Sequence, residues 1–259
     1  MRIIYIEWGK LIKVCIVFVL VGVSLIYYNG LYTGIISVFA PQREIPIYCV
    51  DTPQKKVAIT FDASWGAENT AKILDILDHY NAKATFFLVG IWVDDHPDMV
   101  KEIARRKHEI GNHSTSHPHM NSLSESEIEK ELTITTEKIK ALTGKDVKIF
   151  RPPFGEYNNR VVLTAKRLGY YVIQWDVDSL DWKGLSADAM ADRILPKVKE
   201  GSIVLFHNDG EHTPEVLPTV LNELKERGYS FVTVSELIYK DNYYIDHRGM
   251  QHLQSNNLQ

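Results

Sequence analysis

The sequence predicts an α/β fold: a distorted (β/α) barrel of about seven parallel strands, preceded by an N-terminal transmembrane helix. Three observations predict it. From Lys56 onward, short apolar runs that end in polar residues alternate with longer amphipathic stretches, the pattern of successive βα units. The chemically capable side chains fall at or just past the ends of those short runs, where a parallel barrel carries its site. Ahead of them stands a charge-free apolar run over residues 14–28. Periodicity alone does not separate an incomplete barrel from an open doubly wound sheet, but seven units around one core favour the barrel.

Taken in order, the N-terminal segment comes first. Arg2, Lys10 and Lys13 precede the run 14–28, and a second apolar stretch, 31–39, follows Asn29 and Gly30. With Leu11, Ile12 and a snorkelling Lys13 the run approaches the roughly 20 residues a membrane span needs. Its apolar length exceeds that of a signal core, so residues 1–40 read as an uncleaved anchor rather than a signal peptide cut near Ala40. The preceding basic residues place that end in the cytoplasm and the rest of the chain outside. Residues 41–55 read as a linker, 56–240 as the domain and 241–259 as a polar, loosely held tail. Cys15 lies in the apolar run and Cys49 stands alone beyond it, which leaves the domain to be held by its core rather than by a disulfide. The net charge of −4, with signs interspersed, gives no electrostatic reason for a nucleic-acid partner.

The strands are expected at 57–61, 84–89, 109–111, 147–150, 171–177, 202–206 and 230–234. Between them, Ser124 with Glu127 three positions on reads as a capping box. Ile128, Leu132, Ile139 and Leu142 follow at helical spacing, and Gly144 stands beyond the end. Gly169 and Gly228 supply similar C-terminal turns. On this frame Asp62, His113, Arg151, Asp178 and His207 lie at five different strand ends and converge on one rim. His113 and His117, four positions apart with small polar residues between them, have metal-ligand spacing. A carboxylate with such a pair points to metal-assisted hydrolysis.

With these residues collected, the chain resembles the polysaccharide deacetylase family, carbohydrate esterase family four, also called the NodB homology domain. The likeness runs from about Lys56 to Leu237. Its carriers, in order, are Thr60-Phe61-Asp62, His113-Ser114-Thr115-Ser116-His117, Arg151-Pro152-Pro153-Phe154-Gly155, Asp178-Ser179-Leu180-Asp181-Trp182 and Leu205-Phe206-His207. Within the family it is most similar to the sporulation-associated, membrane-anchored deacetylases. The resemblance implies removal of N-acetyl groups from a cell-wall or spore-wall glycan, with release of acetate. It implies Asp62 as base, Arg151 holding that base ionised, His207 as acid, and Asp178 or Asp181 orienting His207. It further implies His113 and His117 as metal ligands, and Pro152, Phe154, Trp182 and Leu205 as contacts to the substrate. The implied partners are a glycan polymer and, through the N-terminal helix, a membrane.

One position departs from the family pattern. Where a second aspartate normally completes the metal triad, this chain has Ala63. The expected cofactor is therefore a weakly held divalent ion, zinc first, with cobalt or nickel as alternatives. Ser64, Glu68, Asn112 and His119 are the nearby donors that substitution would draw on. Ala63 also sustains a second reading: a catalytically weak domain that binds wall glycan.

Overall fold

The computed structural model describes residues 8–39 and 43–254, which divide into two units, residues 1–43 and 44–259. The first unit contains α1 (Trp8–Phe39), 32 residues long, whose described apolar side chains, such as Phe18 and Ile26, lie exposed all round it. Among the described residues, no helix is long and apolar enough to cross a membrane. The expected transmembrane segment is thus not supported there.

The second unit is built on β2 (Lys56–Ala63), β3 (Ala84–Leu88), β4 (Glu109–Asn112), β5 (Ile149–Phe150), β6 (Tyr171–Val172), β7 (Val177–Asp178) and β8 (Ile203–His207). Their spatial order is β6-β5-β4-β3-β2-β8-β7, every pairing parallel, with β9 (Ser230–Phe231) added alongside the start of β2. This is a half-barrel. The expected strand over 171–177 breaks into β6 and β7, because an incoming segment occupies the gap: Ile47 N–H donates to Val172 O at 2.9 Å and Gln174 N–H to Ile47 O at 2.7 Å. The same segment continues into β1 (Cys49–Val50).

The crossovers are α2 (Thr70–His79), α3 (Gly90–Asp95), α4 (Pro97–Arg105), α5 (Glu125–Thr143), α6 (Asn159–Arg167), α7 (Ala187–Ile194), α8 (Thr213–Glu226) and α9 (Val234–Leu237). Helix α5 begins at the Ser124/Glu127 capping box and ends at Gly144 in left-handed backbone. The expected strand over 230–234 stops at Phe231, because Thr233 caps α9 with its own Ser/Thr-type box to Glu236. Residues 241–253 are not a loose tail. Strands β10 (Tyr243–Ile245) and β11 (Met250–Leu253) form a hairpin, and β11 pairs in parallel with β1.

The period-2 side-chain alternation of β2 divides the core. Val57, Ile59, Phe61 and Ala63 join the cluster packed against the helices, while Ala58 joins the second cluster with Phe87, Ile149 and Ile203. Thr60 and Asp62 share the parity of Ala58, so the interior face of the central strand ends on a buried carboxylate.

Candidate active site

Asp62 ends the interior face of β2 beside His207 of β8, its direct partner in register. Arg151 follows β5 and is fully buried, its guanidinium 4.1 Å from the Phe87 ring centroid. Its Nη1 donates to Asp62 Oδ1 at 2.7 Å and to Thr60 Oγ1 at 2.9 Å, and Nη2 donates to Gln174 O at 3.1 Å. Burial works against an ionised Asp62, but the Arg151 charge, aided by His113 and His207, holds the carboxyl below its usual range.

His207 has the opposite setting. Asp181 Oδ1 accepts from His207 Nδ1 at 2.7 Å, Oδ2 accepts from His207 N–H at 2.6 Å, and Thr213 Oγ1 donates to Oδ2 at 2.8 Å. Burial lowers the imidazole's basicity, but the Asp181 hydrogen bond and charge, with Asp62 and Asp209 behind them, push it up to about 8. Asp181 is therefore the orienting carboxylate. Asp178 is not: its Oδ1 accepts from Leu180 N–H at 2.9 Å, which shapes the turn that delivers Asp181. Its charge supports Arg151.

The histidine pair sits on the loop after β4. His113 Nδ1 lies 2.7 Å from the Arg151 carbonyl, so it carries the proton as donor and leaves Nε2 as the free lone pair. That Nε2 is 3.5 Å from Asp62 Oδ2. The His113 and His117 ring centroids are 5.1 Å apart. Burial keeps both imidazoles neutral, pushing His117 down to about 4, as ligands need. The loop takes left-handed backbone at Ser114 (φ 71) and His117 (φ 56). Glu131 of α5 clamps it: Oε2 accepts Thr115 N–H at 2.7 Å and Ser116 N–H at 2.9 Å, and Oε1 accepts Ser116 Oγ–H at 2.9 Å. Phe154 (φ 58) and Leu180 (φ 56) carry the same rare backbone, which concentrates strain at this rim.

The ligand set fits a weakly held ion and not a three-ligand centre. Among the described residues, no group of three or more His, Cys, Asp or Glu is arranged to hold a metal. Ala63 is fully buried in the helix-side cluster. Of the nearby donors, Asn112 is committed elsewhere, donating to Leu132 O and Thr136 Oγ1 and accepting from Ser114 N–H. His119 lies 3.0 Å from Glu156 and stacks on Phe154. Ser64 does face the pocket.

The pocket between these groups has a volume of about 510 Å³. The structure places Asp62, His113, His117, Phe154, Asp178, Trp182, Leu205 and His207 on its wall; Pro152 is buried behind it, where its carbonyl closes the turn by accepting from Gly155 N–H. Trp65, Glu131, Trp175 and Asp209 are site residues that sequence reasoning did not reach, and Thr60, quoted there only as part of the Thr60-Phe61-Asp62 motif, proves to be a partner of Arg151. Only Thr60 carried a signal, by sharing the parity of Asp62 in an alternating strand.

Residues 50–173 match the model of the polysaccharide deacetylase family. The chain is 38% identical over 196 residues to a peptidoglycan-N-acetylglucosamine deacetylase of Bacillus cereus, covering 73% of this chain and 71% of that protein. It is 36% identical over 193 residues to the uncharacterized Bacillus subtilis protein YlxY, of whose length it spans 60%. Among solved structures, it is similar to a pseudoenzyme of carbohydrate esterase family 4 from Bacillus anthracis, with a TM-score of 0.72 and 39% identity, covering 74% of this chain and 68% of that one. A mutant of that pseudoenzyme with restored activity matches at 40% identity, also with a TM-score of 0.72, covering 74% of this chain and 70% of the mutant. The chain belongs to the polysaccharide deacetylase family, hydrolases of carbon–nitrogen amide bonds other than peptide bonds.

Proposed function

We propose that this chain removes N-acetyl groups from an amino sugar of a peptidoglycan-type wall or spore-wall glycan. The observation that carries this reading is that two register partners facing one pocket have opposite settings: Asp62 is paired with the Arg151 guanidinium and His207 with the Asp181 carboxylate. Asp62 takes a proton from water, and the resulting hydroxide attacks the amide carbonyl carbon. The tetrahedral oxyanion would meet a main-chain N–H of the Arg151–Gly155 segment, two residues of which, Phe154 and Gly155, line the pocket. His207 gives its proton to the nitrogen, the carbon–nitrogen bond breaks, and acetate and a free amine leave. Asp181 holds the imidazole in place and stabilises its charge until that transfer. His113 and His117 would hold a divalent ion, zinc first, whose chemistry is to polarise the carbonyl oxygen.

A second reading, glycan binding with little turnover, is favoured by Ala63 and by likeness to a protein described as a pseudoenzyme. Intact acid and base argue for the first. In the sequence, the basic residues Arg2, Lys10 and Lys13 ahead of the apolar run 14–28 favour placement of the domain outside the cytoplasm. Acetate release from chitin oligomers and wall fragments, with and without added Zn²⁺ or Co²⁺, tests the activity. Glycan binding without acetate under every metal condition would leave the second reading.

A further inference from the structure

The proposed chemistry makes no use of Trp65. This side chain lies in the loop between β2 and α2 with 63% of its surface exposed. The loop beneath it is held firmly: Gly66 O accepts from Trp92 Nε1 at 2.6 Å and from Asn208 Nδ2 at 2.8 Å, and Asn69 Nδ2 donates to Gly210 O at 3.0 Å. Trp65 shares its pocket with two other exposed aromatic rings, Phe154 and Trp182, so it belongs to an apolar patch rather than standing as a lone surface side chain. Trp65 walls the same pocket as the histidine pair, its ring centroid 6.5 Å from that of His117. Trp182 follows Asp181, the residue that orients His207, and so marks the acid end of the pocket.

We propose that Trp65 is a stacking platform for the sugar ring next to the acetylated one, on the His117 side, so that the site reads an oligosaccharide rather than a single sugar. The ligand class follows from the surroundings. A pyranose offers an apolar face of C–H bonds and a rim of hydroxyls. Trp65 matches the face, and Ser64 and Asp209, which line the same pocket, match the rim. A purely apolar ligand would strip water from both polar groups and return no hydrogen bond. The pocket, at about 510 Å³, falls in the range that encloses ligands larger than a monosaccharide.

This inference rests on the glycan reading above and is tested apart from it. Calorimetry on the full chain would compare tri-N-acetylchitotriose with N-acetylglucosamine for wild type, Trp65→Ala and Trp65→Tyr. Trp65→Ala should weaken trisaccharide binding by about 5- to 10-fold, shift monosaccharide binding much less, and melt at the wild-type temperature. Trp65→Tyr, which keeps a ring face, should recover most of the loss. Equal trisaccharide affinity in wild type and Trp65→Ala, or equal losses for both sugars, would overturn the platform. Trp65-dependent trisaccharide binding without acetate release keeps the platform and removes the catalytic reading. Acetate release with trisaccharide affinity indifferent to Trp65 does the reverse.

Discussion

Replacing Asp181 by Asn should move the protonation of His207, and the size of the effect follows from the site. In the native protein His207 is raised from its ordinary 6.5 to about 8, with Asp181 supplying both hydrogen bonds and charge against burial. That rise corresponds to about 2 kcal/mol at 1.36 kcal/mol per pH unit. The imidazole side chain is only 25% exposed, so solvent screening removes little of it. With the Asp181 charge gone, only Asp62 and Asp209 are left to oppose burial, and the imidazole should titrate clearly below its native value of about 8. At pH 7 the cationic fraction then falls below its native value of about nine in ten. Because the folded value is raised, the stabilisation is fully present below pH 6.5 and is lost as pH rises through about 8. Wild type should therefore lose up to about 2 kcal/mol of unfolding free energy across that window, and Asp181→Asn should lose that slope. An NMR titration of the His207 ring, beside denaturant melts at pH 6, 7 and 8.5, reads both effects. A variant imidazole still titrating near 8 would refute the assignment of Asp181.

Asp62→Asn and His207→Ala should each lower acetate release by roughly 100-fold or more while glycan binding persists; unchanged turnover in either variant removes that residue from the chemistry. Glu131→Ala should free the 114–117 loop, weakening Zn²⁺ binding and broadening the His117 ring signals, whereas Glu131→Gln should keep part of the clamp. Equal Zn²⁺ affinity in wild type and Glu131→Ala would show that the loop stands without it. Ala63→Asp puts a carboxylate into a fully buried position. In chelator it should lower the melting temperature, and with Zn²⁺ it should regain that loss and bind the ion about 10- to 100-fold more tightly than wild type. A variant that remains destabilised in Zn²⁺ would show that this position does not reach the ion.

The parts of the fold readable from sequence were those with a local cause. The strand ending at Asp62 alternates cleanly, and the Ser124/Glu127 box fixes the start of α5 by two reciprocal hydrogen bonds. The break between Val172 and Val177 was not readable, because it depends on Ile47, more than 120 residues earlier, taking the main-chain bonds of that edge. The hairpin over 243–253 was hidden for a similar reason: its short strands gain their partner only from Cys49 and Val50. In the site, Asp62, Arg151 and His207 were legible because strand ends deliver them. The choice between Asp178 and Asp181 was not, since it turns on left-handed backbone at Leu180. Glu131 gave no sign at all, as a single acid on a helix has no pattern that betrays a loop clamp.

On the reading proposed above, the acid and base are each held by a partner, Asp181 and Arg151, whereas among the described residues no group of three or more His, Cys, Asp or Glu is arranged to hold a metal. A buried ion pair returns little net stability, because desolvation consumes most of its Coulomb gain. Arg151 is wholly buried with Nε lacking a partner among the described residues, and its carboxylate Asp62 is itself buried. Apolar residues of similar volume would fill that space at least as stably. Glycan binding through exposed rings such as Trp65 and Trp182 requires neither charge. On that reading, a buried guanidinium paired with a carboxylate, beside an imidazole paired with Asp181, has its use when a proton must be taken from water and another given to a leaving amine.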